Sequence, residues 1–199
     1  MRLWLLYLRS RLAFPALALL ALIAGLCWLV GNRWGSQPDV ILIASIAVPL
    51  AAAVVVCATA GSPFGEIEQS LSRPLAGIRL AHLAWLLLVA TVTLFIAATA
   101  WSGIDIEWRF VRNLIGLTGL ALLTVPLVGG RLSWIAPLTL TMTAQLFARS
   151  GVSSWTALMW PTTAFENSRA LIAALLLLAG GLAAIYLRAP RLTRDEPHG

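Results

Sequence analysis

Apolar residues run almost unbroken through six stretches of this chain, at about 12–31, 38–60, 80–101, 110–129, 132–149 and 169–188, and polar residues gather between them. Each stretch is close to the roughly 20 residues that an α-helix needs to cross the hydrocarbon core of a bilayer. The pattern predicts an all-α membrane protein of six transmembrane helices. They form one transmembrane domain over residues 1–199, with 189–199 a polar, flexible tail.

Composition removes the soluble alternative. Hydrophobic residues make up 60% and charged residues 11% of the chain, and the mean hydropathy is +0.89. Soluble domains carry about 25% charged residues. One soluble core cannot hide this much apolar surface, so lipid is the expected solvent.

The net charge of +6 rests on arginine alone, because none of the fourteen basic residues is lysine. A P-loop requires a lysine that reaches the β- and γ-phosphates. No Walker A site exists in this sequence, and any ATP that drives its work binds another polypeptide. The arginines cluster at span ends, as membrane topology requires, so nucleic acid is not an expected partner. Arg2, Arg9, Arg11, Arg73, Arg79, Arg131, Arg188, Arg191 and Arg194 fall on one side. Arg33, Arg109, Arg112, Arg149 and Arg169 fall on the other. The richer side is expected to be cytoplasmic, with both termini there.

The N-terminus resembles a signal peptide only in outline. The apolar run from Leu12 is too long, and no small-x-small site follows it, so an uncleaved first span is expected. The first dozen residues mix Arg2, Arg9 and Arg11 with Trp4 and Tyr7. Two readings fit them: a short helix lying in the membrane interface, or an extension of the first span. Cys27 and Cys57 lie late in two antiparallel spans. That puts them roughly 15–20 Å apart in depth, too far for a disulfide.

Two connections exceed what the topology needs. The first runs from Gly61 to Arg79. Ser62 and Pro63 make a helix start, and Glu66 and Glu68 fall in the turns where the helix dipole favours acids. Phe64, Ile67 and Leu71 form one apolar stripe, and Pro74 and Gly77 end the helix. The product is a short amphipathic helix on the inner membrane surface, or a plain solvated connector. Glu66 and Glu68 are two residues apart and point in different directions, so they are not an acid/base pair. The second connection, Ser150 to Asn167, carries Trp155, Trp160, Pro161 and Phe165. A partly re-entrant hairpin and an aromatic-anchored surface loop both fit it.

Catalytic apparatus is missing from the sequence. It has no HExxH, G-x-S-x-G or CxxC motif, and every Asp and Glu falls at a span edge or in a loop. Ion-driven transporters usually place a carboxylate or histidine within the membrane, so an external energy source fits better. Thr91, Thr93, Thr139, Thr141, Thr143 and Gln145 are the expected mid-membrane polar groups. Thr141 and Gln145 share a face of the fifth span, where they would line a path or hold helices together. Gly116 with Gly119, and Gly180 with Ala184, offer small faces for close packing. A mostly apolar interior suits an amphiphilic or peptide-like cargo.

The acidic short helix, followed by Ser72-Arg73-Pro74 and then by Arg79 leading into a span, resembles the cytoplasmic segment of type-2 ATP-binding-cassette exporter permeases. The likeness covers the six-span layout and about 20 residues at motif level. It implies cytoplasmic termini, an interfacial N-terminal helix and a hairpin before the last span. It also implies a bacterial inner-membrane location and a second permease subunit, identical or not. ATP and Mg would be held by separate ATPase chains and no cofactor by this one. Carried over, Glu66 and Glu68 face the ATPase as part of a coupling helix, and Arg73 and Arg79 anchor its far side. The rival expectation is a membrane sensor or accessory scaffold without transport. Enzyme activity is not expected of this chain.

Overall fold

A computed structural model describes residues 13–59, 76–102, 105–129, 132–150, 159–163 and 167–187. Its helices are α1 (Ala13–Trp34), α2 (Pro38–Ala58), α3 (Ala76–Ala98), α4 (Ile106–Val128), α5 (Ile135–Ser150) and α6 (Ser168–Leu187). All regular structure among the described residues is helical. Five of the six helices are long and apolar enough to cross a membrane. The exception is α5, whose 16 residues reach about 24 Å against a hydrocarbon core of about 30 Å. The chain is therefore a multi-pass membrane protein by the length and composition of its helices.

Helix ends follow local chemistry. In α2, Pro38 occupies the first turn, where its missing N–H costs nothing, and Asp39 sits where the dipole favours an acid. In α4 the acid of the first turn is Glu107, and the helix stops at Gly129, whose φ of 84° only glycine adopts freely.

The bundle is organised around α4. It packs most extensively on α6, then on α2 and α3, and α5 leans against it. By contrast, α1 touches only α2 and α3 among the described helices. Large apolar side chains point away from the bundle all round it, among them Leu22, Leu88, Leu127, Leu146 and Leu176. A surface this apolar needs lipid.

The close approach of α4 and α6 rests on missing side chains. A Cβ at Gly119 would overlap the backbone of Leu177 and Leu178, and one at Gly181 would lie 2.5 Å from the Gly119 carbonyl oxygen. In lipid, such contact between backbones replaces the hydrophobic drive of aqueous folding. Of the expected small faces, Gly119 packs this way. Gly180 meets only the methyls of Leu123, at 3.6–3.8 Å, and its neighbour Gly181 makes the contact instead.

Two buried clusters fill the bundle. At one end Trp101 lies across Gly31 and meets Phe110 edge to face, with centroids 6.1 Å apart, beside Cys27 and Ala98. The larger cluster runs through the middle toward the buried His82, and includes Leu86, Leu117, Leu122 and Cys57. Trp101 and His82 thus lie toward opposite ends of the bundle, the Trp101 end and the His82 end. Both cysteines are free and buried.

Candidate functional site

A proline in the middle of α2 sets up the polar centre of the bundle. Pro49 has no N–H, so the carbonyl of Ser45, four residues earlier, loses its partner in the helix ladder. A free carbonyl in hydrocarbon must find another donor. Asn113 of α4 supplies it: its side-chain amide donates to the Ser45 oxygen at 2.7 Å. The same amide nitrogen donates to the carbonyl of Pro161 at 2.9 Å. One fully buried side chain thus ties α2, α4 and the segment before α6 together.

The neighbouring Arg112 completes the knot. It is only 1% exposed. Its guanidinium donates to the Thr163 carbonyl at 2.9 Å, and from Nε and Nη2 to Asn113 Oδ1 at 3.3 Å. Residues 159–163 form a turn in which Thr162 N–H donates to the Met159 carbonyl at 2.9 Å. Trp160 and Pro161 are buried. The Trp160 ring occupies the space where a Gly116 side chain would be. Gly116 stands ten residues into α4, about 15 Å along its axis. The Trp160 ring reaches that far, while the non-helical backbone that carries it lies against Arg112 and Asn113, which donate to its carbonyls.

Toward the His82 end the interior is different. A cavity of about 470 Å³ lies among α2, α3, α4 and α6, lined by residues that include Val56, Leu83, Leu87, Leu122 and Leu182. It separates α3 from α6, which scarcely touch, and on the α3 side it reaches the exposed Ala84 and Leu88. Its size falls within the range of small-molecule sites. Its only polar side chains are Thr91 and Thr118.

The expected site residues fall in several places. Glu66, Glu68 and Arg73 lie outside the described residues, as does the rest of the amphipathic segment from Ser62 to Leu71. Arg79 belongs to the first turn of α3. The segment before Ala13 and the tail from Arg188 are also outside the description. Thr141 is buried and donates to the Leu138 carbonyl of its own helix at 2.9 Å, while the Gln145 side-chain oxygen is buried without a hydrogen-bond partner. Neither lines the cavity.

Arg112, expected at the start of the fourth span on the side poorer in arginine, is buried within α4. The helix begins at Ile106, four residues before the apolar run that sets the expected boundary, because Glu107 and Arg109 lie ahead of that run but within the helix. Asn113, Ser45 and Thr118 belong to no motif that marks them in the sequence. A signal for the first two was available. Pro49 inside an apolar span demands a donor for a freed carbonyl, and only Asn113 and Gln145 offer an amide within the six stretches.

Among the described residues, no three His, Cys, Asp or Glu side chains gather in a way that could hold a metal ion. No protein-family profile matches the chain, and no curated protein or solved structure matches it.

Proposed function

We propose that this chain is the membrane-spanning subunit of an ATP-driven exporter. It would work in a bacterial inner membrane, with both termini cytoplasmic, and pair with a second such subunit and separate ATPase chains. The observation that carries the reading is the apolar cavity among four helices. It lies at membrane depth and reaches lipid-facing residues of α3. A hydrophobic cargo can enter such a space from the bilayer without crossing water. Two features of the sequence support the energy source: the complete lack of lysine and so of a Walker A site, and the acidic amphipathic segment from Ser62 to Leu71 on the side richer in arginine. In this reading Glu66 and Glu68 dock the ATPase, and Arg73 and Arg79 flank the docking helix.

The test is purification from native membranes in mild detergent. An ATP-hydrolysing chain is expected to copurify, and the isolated protein is expected to hydrolyse no ATP. Replacing Glu66 and Glu68 together by Ala should weaken that association by about 1–3 kcal/mol, the range for charge-assisted hydrogen bonds at a wet interface. Asp105→Ala, at the Trp101 end of the bundle, should leave it unchanged. Recovery of the chain with sensor or scaffold partners and no ATPase would overturn the export reading.

A further inference from the structure

The cavity toward the His82 end offers a guest almost nothing to bond. Thr91 turns its hydroxyl to the Leu87 carbonyl of its own helix at 2.8 Å, and the Thr118 hydroxyl oxygen is buried off the cavity wall. Both threonines therefore line the space with carbon, and the rest of the wall is Leu, Ile, Val and Ala. A polar atom held there would find no partner, and water needs two or more polar groups to stay. What fills the cavity is hydrocarbon over its whole length.

Length, depth and width narrow the choice. Along α3 the lining runs from Leu80 to Thr91, about 16 Å at the helical rise. That matches one leaflet, about 15 Å of the hydrocarbon core. The deep end lies near the middle of α4, at Ile115 and Thr118, and the shallow end near Val56 and Leu182, toward the ends of α2 and α6. A volume of about 470 Å³ spread over that length makes a channel about 6 Å wide, too narrow for a helix of about 10–12 Å. At about 30 Å³ for each water-sized group it holds roughly fifteen chain carbons, one acyl chain and not two. Both helices beside the opening carry an arginine at the shallow end of their sequence: Arg79 in the first turn of α3, and Arg188 directly after α6. We infer that the cavity holds one acyl chain of an anionic lipid from the leaflet at the His82 end, entered sideways between α3 and α6 with its headgroup at the rim. As a statement about cargo this rests on the export reading; as a binding site it stands on the cavity alone.

Binding is measured on the full chain without any ATPase, in nanodiscs, with photoactivatable phosphatidylglycerol. Two probes differ only in where the diazirine sits on one acyl chain: beside the ester, or near the methyl end. Saturable labelling in depth order is expected, mapped by mass spectrometry. The first probe should mark α3 around Leu80 and Ala84, and the second the level of Thr91 and Ile115. The reverse order would bring the chain from the other leaflet and overturns the inference. Labelling that never saturates and spreads over all lipid-facing helices overturns it too. Ala84→Trp, at the exposed rim, should cut labelling by both probes several-fold, while Leu176→Trp, on a side chain 68% exposed outside the cavity, should not. Continued shielding of Cys57, 1% exposed in the parent, from maleimide shows that a variant is folded. Equal labelling of a folded Ala84→Trp variant and the parent also overturns the site. The same probes with a phosphatidylcholine headgroup should label about fivefold less, the effect of one arginine near a membrane surface; equal labelling overturns the anionic headgroup. ATPase copurification, which depends on residues 62–71, succeeds or fails independently of all these results.

Discussion

At the scale of single residues, a deletion in one helix is answered by a side chain on another. Pro49 removes a donor from α2, and Asn113 restores it to the Ser45 carbonyl at 2.7 Å. The two residues should therefore be coupled energetically. Asn113→Ala strands the carbonyls of Ser45 and Pro161, and should cost about 1–3 kcal/mol in a detergent unfolding titration. Pro49→Ala gives the Ser45 carbonyl an N–H from its own helix. In that background Asn113→Ala should cost about 1 kcal/mol less, close to the worth of one hydrogen bond. A double-mutant cycle measures this directly, and strict additivity would show that the helix ladder at Pro49 is not what Asn113 repairs. The proline and the asparagine are both plain in the sequence. That they meet depends on how α2 and α4 lie against each other, which no local rule supplies.

At the scale of elements, α4 and α6 are held by the absence of side chains rather than by their fit. Gly119→Ala and Gly181→Ala each place a methyl group against the facing backbone. Backbone cannot swing aside as a side chain can, so each should destabilise the bundle by about 1–3 kcal/mol. Gly180→Ala finds only Leu123 methyls at ordinary contact, and Gly25→Ala meets nothing within 4 Å. Both should stay within about 0.5 kcal/mol of the parent. Thermal melts monitored by aggregation or thiol exposure separate the two pairs. Loss of stability equal in all four would point to a general intolerance of alanine. The glycines of α4 and α6 stand out in the sequence, but their partners do not. Gly180 and Gly181 are adjacent, and helical phase toward α4 selects the second. The helix α5 shows a related limit. Its apolar run from 132 to 149 has the length of a span, yet the turn after Gly129 occupies the first part of it, and helix begins only at Ile135.

At the scale of the whole molecule, orientation decides which end meets a cytoplasmic partner. The proposed orientation follows the arginine bias, which survives the loss of Arg112 from the poorer side because a buried arginine is no loop charge. Cysteine labelling is well suited to this chain. Cys27 and Cys57 are 2% and 1% exposed, so membrane-impermeant maleimide should leave the parent unlabelled. A cysteine at Ser36 or Ser153 should be labelled from outside intact cells, and one at Ser72 only after the membrane is opened. The reverse pattern would invert the topology and place the segment with Glu66 and Glu68 away from any cytoplasmic ATPase.

What the sequence determined by itself is the solvent, the helical class and the approximate place of the membrane-crossing helices. Long apolar runs leave lipid as the only medium, and in lipid a continuous segment satisfies its backbone by becoming helix. Those are properties of each segment alone. The tertiary structure decided everything that requires two segments to meet: the burial of Arg112, the seating of Trp160 on Gly116, the choice of Gly181 over Gly180, and the apolar cavity among α2, α3, α4 and α6. Arg112 shows why most clearly. Read locally it is a charge at a span edge. It becomes an interior residue because Asn113 and the 159–163 turn, 48 and more residues further along the chain, give its guanidinium and their own carbonyls mutual partners.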